Sequence, residues 1–224
     1  MHLLQNWKKT TSRSKRKTIK TLIMKNPMFN IPYGLYVVTT NSEGKDNGCI
    51  SNTVIQVTAE PNRISVALNK ANLTTEMIAK SMKLTVSIIS ESASFDLFKH
   101  FGFQSGRDTN KFADFTDCKR LENGTMAITA GTNAYISATV CKSIDVGTHI
   151  IFIAEVTEME VISDDKTATY DYYQQNIKPK PQKPKKTIWR CRICGYEYEG
   201  EELPADFICP ICKHPASDFD KIEV

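Results

Sequence analysis

With 224 residues, the chain is long enough for one full domain with its own core plus a small satellite. Its net charge of +4 at pH 7 is unevenly spread: residues 1–25 carry eight Lys or Arg and no acid, Lys178 to Lys186 adds five more, and the two remaining parts are acidic. A nucleic-acid surface needs a basic face on a folded element and a spanning helix needs about 18 apolar residues; neither is visible, so both partner classes are set aside.

Residues 1–26 are rich in Lys, Arg, Ser and Thr. That composition fits a transit peptide, a disordered arm or an over-long reading frame whose true start is Met24 or Met28. One of the last two is preferred, because Met24 sits just before the first convincing strand, and the segment is left out of the fold. Strand signals dominate the next 150 residues. Gly34 to Thr40, Thr53 to Thr58, Arg63 to Leu68, Leu84 to Ile89, Ala134 to Val140 and His149 to Val156 are β-branched and often alternate. Asn41-Ser-Glu-Gly44, Asp46-Asn-Gly48 and Asp145-Val-Gly147 read as turns between them. Two helical patches, Thr74 to Ser81 and Ser94 to Phe101, interrupt the pattern. About six strands with two short helices predict a mainly β fold, a β-barrel rather than alternating βαβ units. No G-x-G-x-x-G follows a strand, so a dinucleotide-binding α/β site is not indicated.

Ile177-Lys-Pro-Lys-Pro-Gln-Lys-Pro-Lys-Lys186 alternates Pro with Lys and predicts an extended linker over 178–187, between a domain at 27–177 and another at 188–224. In the last part, Cys191-Arg-Ile-Cys194 and Cys209-Pro-Ile-Cys212 form two Cys-x-x-Cys hooks. Four such thiolates can close a tetrahedron on one ion, and the spacing alone admits zinc, a structural clip, or iron, a one-electron carrier. Trp189, Tyr196, Tyr198, Phe207 and Phe219 supply an aromatic frame around the hooks, which favours iron. Nothing resembles a secretory signal, so a disulfide framework is not expected and a cytoplasmic location is. Cys49, Cys118 and Cys141 read as ordinary half-buried thiols.

Candidate ligand residues lie at strand ends and turns. Ser105-Gly106-Arg107 with Lys111 offers hydroxyl, backbone N–H groups and cations, which suit a phosphate; alone, such a turn is more often a solvated loop. Asn69, Lys70 and Thr74 form a second polar set, with helix capping by Asn72 or Thr74 as the plainer reading. Asn47, Gly48, Cys49, Ile50, Ser51 and Asn52 are small and turn-prone and suit main-chain contact with a ring, or merely a hairpin. His149 opens a strand after a turn and alone would be a structural histidine.

Tyr33-Gly-Leu-Tyr-Val-Val-Thr-Thr40, Asn47 to Thr53, Ala59-Glu-Pro-Asn-Arg-Ile-Ser-Val-Ala-Leu-Asn-Lys70, Phe101-Gly-Phe-Gln-Ser-Gly-Arg-Asp-Thr-Asn-Lys-Phe112 and Gly147 to Val156 together resemble the flavin reductase-like, FMN-binding split-barrel family. The tail resembles rubredoxin, with the short hook spacing of rubrerythrin tails. The combination is similar to the high-molecular-weight rubredoxins of anaerobes. The resemblance implies a split barrel carrying FMN and a small rubredoxin-like domain carrying iron. It implies electrons passed from NAD(P)H to a flavodiiron protein that reduces NO or O2, or to a rubrerythrin-type acceptor. It further implies that Ser105, Gly106, Arg107 and Lys111 contact the phosphate or ribityl chain, that His149 faces flavin and nicotinamide, and that the barrel is a homodimer. The alternatives are a freestanding flavin or ferric reductase, or a flavin-binding barrel with a zinc-ribbon tail. Glu197, Glu199, Glu201 and Glu202 predict an acidic docking edge.

Overall fold

The computed structural model describes residues 27–180 and 187–223. The expectations for residues 1–26 and for 181–186 of the linker lie outside the described residues. The chain divides after Pro179 into two compact units.

The first unit opens with a 3-10 turn, Pro27–Asn30, and continues with β1 (Tyr36–Ser42), β2 (Lys45–Ser51), β3 (Val54–Ala59) and β4 (Asn62–Asn69). Helix α1 (Leu73–Ser81), β5 (Lys83–Ile89) and helix α2 (Phe95–Gly102) follow. Then come a short hairpin, β6 (Cys118–Arg120) and β7 (Met126–Ile128), and two long strands, β8 (Thr132–Asp145) and β9 (His149–Val161). A helical turn at Tyr170–Tyr172 runs into a π-helical turn at Tyr173–Ile177. Seven strands form one antiparallel sheet in the order β2-β1-β5-β8-β9-β4-β3.

The apolar runs follow from a sheet covered on both faces. Val38, Val66, Leu84, Val86 and Phe152 pack inside with Ile78 of α1. Val37 and Ile89 point the other way, against Phe98 and Phe101 of α2 and Tyr173. Successive side chains of a strand point to opposite faces, so a strand buried on both sides reads as continuous β-branched sequence. The strands at Gly34 to Thr40, Thr53 to Thr58, Arg63 to Leu68 and Leu84 to Ile89 and both helices fall within two residues of their expected places.

Three expectations are corrected. Asp46-Asn-Gly48 is not a turn; it lies inside β2, because Glu43 and Gly44 (φ 55° and 79°) already make a tight two-residue turn with Ser42 opposite Lys45. Gly48 instead faces Thr39, and its bare Cα lets the Phe101 ring of α2 approach the strand. The strands at Ala134 and His149 run on to Asp145 and Val161, since β8 and β9 pair beyond the core as a ribbon whose outer residues are exposed. Third, the cysteines are not alike: Cys49 is buried, Cys118 half-buried and Cys141 exposed.

The second unit is a three-stranded sheet in the order β11-β10-β12, from β10 (Thr187–Cys191), β11 (Glu197–Glu199) and β12 (Phe219–Glu223). Its core is Cys191, Cys209 and Phe219, with Trp189, Tyr196, Leu203, Phe207 and Cys212 packed around them. Phe207 sits 4.9 Å from Tyr198 and 5.4 Å from Phe219 between ring centres. The aromatic frame is therefore a real core, and the thiols are part of it.

Candidate functional site

In the first unit, a cleft of about 320 Å³ opens between β2, the start of α1 and the loop after α2. Its floor carries Asn47, Cys49 and Ile50; Asn72 and Thr74 form one wall; Phe103, Gln104, Ser105 and Gly106 form the other, with Lys111 behind. Seven of the expected ligand residues thus converge: Asn47, Cys49, Ile50, Thr74, Ser105, Gly106 and Lys111. Asn47 is buried and donates from Nδ2 to the Thr74 hydroxyl at 3.0 Å. Thr74 therefore has a tertiary partner instead of a capping role, and Asn72, at the N-cap position of α1, makes no side-chain cap bond.

The loop wall is strapped down from several sides. Lys45 of β2 donates to the Gly106 carbonyl at 3.1 Å, and Arg107 pairs with Glu76 in the first turn of α1. The Ser105 hydroxyl accepts from the Arg107 N–H at 3.1 Å. Lys111 is 3% exposed, and its Nζ donates to the carbonyls of Gly48 at 2.8 Å and Phe101 at 3.0 Å. Lys111 was expected at the phosphate or ribityl chain; in this structure its ammonium bonds two backbone acceptors, and Gly48 takes part through its carbonyl. Burial lowers the Lys111 pKa below the usual lysine value. Burial also raises that of Cys49, opposed by hydrogen bonds from Thr74 and Asn72 and by the Lys111 charge, so this thiol is an inert floor.

Other expected residues stand elsewhere. Ser51 is buried and turned to Thr53 and the Ala67 carbonyl, and Asn52 follows it, half-buried, beyond the end of β2. Asn69 accepts from the Ala71 N–H at 2.9 Å, and Lys70 pairs with Asp145. His149 sits opposite Asn69 across β4 and β9, its Nδ1 2.9 Å from the Thr148 hydroxyl. Asn69, Lys70 and His149 therefore form a second polar group where β4 meets the β8–β9 turn, just before Asn72 enters the cleft. Glu76, Lys45, Phe103 and Gln104 were missed as site residues. The last two lay in the motif Phe101 to Phe112, where an exposed aromatic just past a helix end was the available signal.

FMN, the flavin this cleft was expected to hold, is a planar ring with a dianionic phosphate. The cleft is of ligand size, its lining mixes apolar with uncharged polar side chains and the Lys111 ammonium, and at the loop wall Lys45 and Arg107 add two cations beside the carboxylate of Glu76. The residues fit such a molecule.

In the second unit the Sγ atoms of Cys191, Cys194, Cys209 and Cys212 all lie within 4.8 Å of one another. Cys191 and Cys212 are 3.6 Å apart, and Cys194 and Cys209 3.4 Å. A tetrahedron with ligand bonds of about 2.3 Å has edges of roughly 3.8 Å, so the thiols fit one ion. The two knuckles are near copies. Gly195 donates its N–H to the Cys191 carbonyl at 2.9 Å with φ 75°, and Lys213 donates to the Cys209 carbonyl at 3.0 Å with φ 63°. The N–H groups of Tyr196, of Ile211 and Cys212, and of His214 are directed at the sulfurs of Cys194, Cys209 and Cys212. Desolvation alone would raise the Cys209 thiol; the N–H groups and neighbouring thiols outweigh it and bring the value to about 6. Desolvation and the other thiols push Cys212 up to about 12. A cluster that cannot hold four negative charges alone is suited to a cation.

Around the thiols the exposed side is apolar: Ile193, Ile208 and Ile211 flank the exposed Cys194. The four glutamates lie after the knuckle, and Glu197 is paired with Arg190 at 2.6 Å.

Comparison with known proteins gives a family for each unit. Residues 28–180 match the flavin reductase like domain, and residues 189–220 match the rubrerythrin, rubredoxin-like domain. The chain is 33% identical to a high molecular weight rubredoxin of Moorella thermoacetica, over 87% of this chain and 98% of that protein. It is 38% identical to a ferric-chelate reductase (NAD(P)H) of Archaeoglobus fulgidus, over 65% of this chain and 86% of that one. The structure of the flavin reductase HpaC complexed with NADP+ superposes with a TM-score of 0.56 at 24% identity, covering 69% of this chain and 92% of the other. That likeness is one of fold.

Proposed function

Because the chain belongs to the flavin reductase-like family through residues 28–180 and carries a rubredoxin-like domain at 189–220, we propose that it takes electrons from NAD(P)H at the barrel cleft and sends them singly through the four-cysteine centre to a protein acceptor. The protein is an NAD(P)H-dependent flavin reductase-type oxidoreductase, with FMN and iron as its cofactors. When bound, FMN supplies hydride acceptance and iron one-electron transfer.

The chain's own residues bind and orient. Asn47 and Thr74 hold each other in the cleft floor and wall, so neither has to be ordered when a ligand enters. Ser105, Gly106 and Arg107, with Lys45 beside them, offer hydroxyl, backbone and cationic groups to a phosphate at the rim. His149, with Asn69 and Lys70 near it, orients the nicotinamide. Hydride transfer needs no protein base, so its role is positional. In the tail, Cys191, Cys194, Cys209 and Cys212 would hold the iron, and the N–H groups on their sulfurs stabilise the added electron.

The observation that carries this reading is the presence in one chain of a flavin-sized polar cleft and four converging thiols. We take the division as barrel 27–177, linker 178–187 and tail 188–224. Free thiols used as ligands need a reducing compartment, which supports a cytoplasmic placement. Among the described residues no helix is long and apolar enough to cross a membrane. The acceptor is proposed to be a flavodiiron protein, with a rubrerythrin-type peroxidase second. A homodimer is proposed because β3 is a terminal strand of the sheet with Ile55 and Val57 exposed. Sedimentation giving a monomer with full FMN occupancy would refute it.

The test is to mix NADH with the purified protein and each acceptor under NO, O2 and peroxide, with and without residues 187–224. Metal analysis and visible absorption accompany it. The reading expects iron and acceptor-dependent turnover that vanishes with the tail; a colourless zinc tail sinks it. A freestanding ferric reductase is the second reading, favoured by the likeness to the ferric-chelate reductase. It requires turnover that survives loss of the tail.

A further inference from the structure

The cleft contains one buried charge without a formal counter-charge. The Lys111 ammonium is almost wholly buried, its two hydrogen bonds go to the neutral carbonyls of Gly48 and Phe101, and among the described residues no carboxylate lies within 4.0 Å of it. Phe101 belongs to the last turn of α2, where carbonyls carry the negative end of the helix dipole, so compensation is by partial charges only. An ammonium has three N–H donors, and two are used here. The groups sharing the cleft wall and floor with it, Asn47, Cys49, Thr74, Gln104 and Ser105, are uncharged polar side chains. A buried cation met only by neutral carbonyls is costly, and an anion brought beside it would relieve that cost.

We propose that Lys111 is a fixed counter-charge that favours the reduced, anionic flavin ring over the oxidised neutral one, and that it does not bind the flavin phosphate. This rests on the reading that the cleft holds flavin. A phosphate dianion calls for a cation that can close on it with several donors, and Lys111, with two of its three N–H groups held by carbonyls, has one left. A ring whose charge is delocalised needs only a nearby positive potential, which Lys111 provides without moving. The rim cations Arg107 and Lys45, both reachable from solvent, are better placed for the phosphate. Hydride transfer moves two electrons and one proton from NAD(P)H to the ring and releases NAD(P)+, leaving the ring with one negative charge. That charge appears in the presence of a cation already in place, so no reorganisation accompanies it. Lys111 is thus a positioning and electrostatic residue acting on the equilibrium between the two flavin states.

The test measures dissociation constants of the full-length protein for oxidised and dithionite-reduced flavin, with FMN and with riboflavin. Wild type, Lys111→Gln, which keeps a donor for the carbonyls without charge, and Lys111→Arg are compared. Wild type should bind the reduced form more tightly than the oxidised one. Lys111→Gln should weaken reduced binding about tenfold more than oxidised binding, equivalent to a potential lowered by about 30 mV for a two-electron couple. FMN and riboflavin should lose that preference equally, and Lys111→Arg should retain it. Equal weakening of both redox states, or a loss confined to FMN, assigns Lys111 to the phosphate and overturns the proposal. Should Lys111→Gln fail to fold, wild type still decides, since reduced flavin bound no more tightly than oxidised would contradict a fixed cation. Wild type that binds neither flavin would instead refute the flavin reading of the cleft.

Discussion

Gly106 offers a sharp test of how the cleft is held. An added Cβ there would lie 2.2 Å from Oδ1 of Asn47 and within 2.8 Å of its Cγ and Nδ2. The clash is with a side chain 2% exposed, so Asn47 has no solvent to move into. Gly106→Ala must displace it and break its 3.0 Å bond to Thr74. Leaving a buried amide unsatisfied costs about 1–3 kcal/mol, and the crowding adds a similar amount. Restricting the unfolded chain returns about 0.4–1 kcal/mol. The net loss is about 3 kcal/mol, or a Tm lowered by roughly 6–12 °C in a unit of this size. The assay is thermal unfolding of the flavin-free protein followed by FMN titration, in which affinity should fall with stability. Asn47→Ala removes the obstacle, so the double variant should lose less than the two single losses added. A Gly106→Ala protein as stable as wild type, or strictly additive losses, would refute the idea that Asn47 and Gly106 are packed as one unit.

Three further outcomes are expected. Serine at Cys191, Cys194, Cys209 or Cys212 should abolish the iron chromophore and leave FMN content unchanged, because each unit has its own core; flavin lost with the metal would contradict this. Lys213 holds a left-handed conformation that costs a non-glycine residue about 1–2 kcal/mol. Lys213→Gly should therefore match its counterpart Gly195 and slow the release of iron to a chelator, and a faster release would count against the strain. The lowered pKa of Lys111 gives a signed pH effect. Between that value and the usual 10.5, the unfolded chain keeps a proton the folded one has shed, so stability rises with pH there. Urea unfolding at neutral and alkaline pH should show wild type gaining on Lys111→Gln, and an unchanged gap would refute the assignment.

Short-range features of this chain were readable from its residues, and long-range ones were not. The metal centre was legible because each knuckle supplies two ligands three residues apart, and backbone geometry alone brings such a pair together. The strands at Gly34 and Leu84 were legible because burial on both faces writes a run of β-branched residues, and the one at Arg63 because buried Ile64, Val66 and Leu68 alternate with less buried residues. β2 was hidden, since Asp46-Asn-Gly48 has the composition of a turn, and only pairing with β1 after the Glu43-Gly44 turn overrides it. The cleft was half legible. Asn47 and Ser105 were found as turn residues and Thr74 as a polar residue past a strand end, but that Lys111 turns its ammonium onto Gly48 and that Arg107 reaches Glu76 depend on tertiary folding. A lysine looks the same in sequence whether it faces water or two carbonyls.

The small size of the second unit has a thermodynamic consequence. About 37 residues bury too little surface to fold on hydrophobic contacts alone, and much of their core is sulfur that an ion must draw together. The barrel has no such dependence on the metal. Heat should therefore melt the protein in two separate steps, with no single free energy of unfolding for the chain. The tail's step would move with iron concentration and the barrel's with flavin. In an iron-starved cell the tail would be lost first, leaving a barrel able to oxidise nicotinamide with its exit to protein acceptors closed.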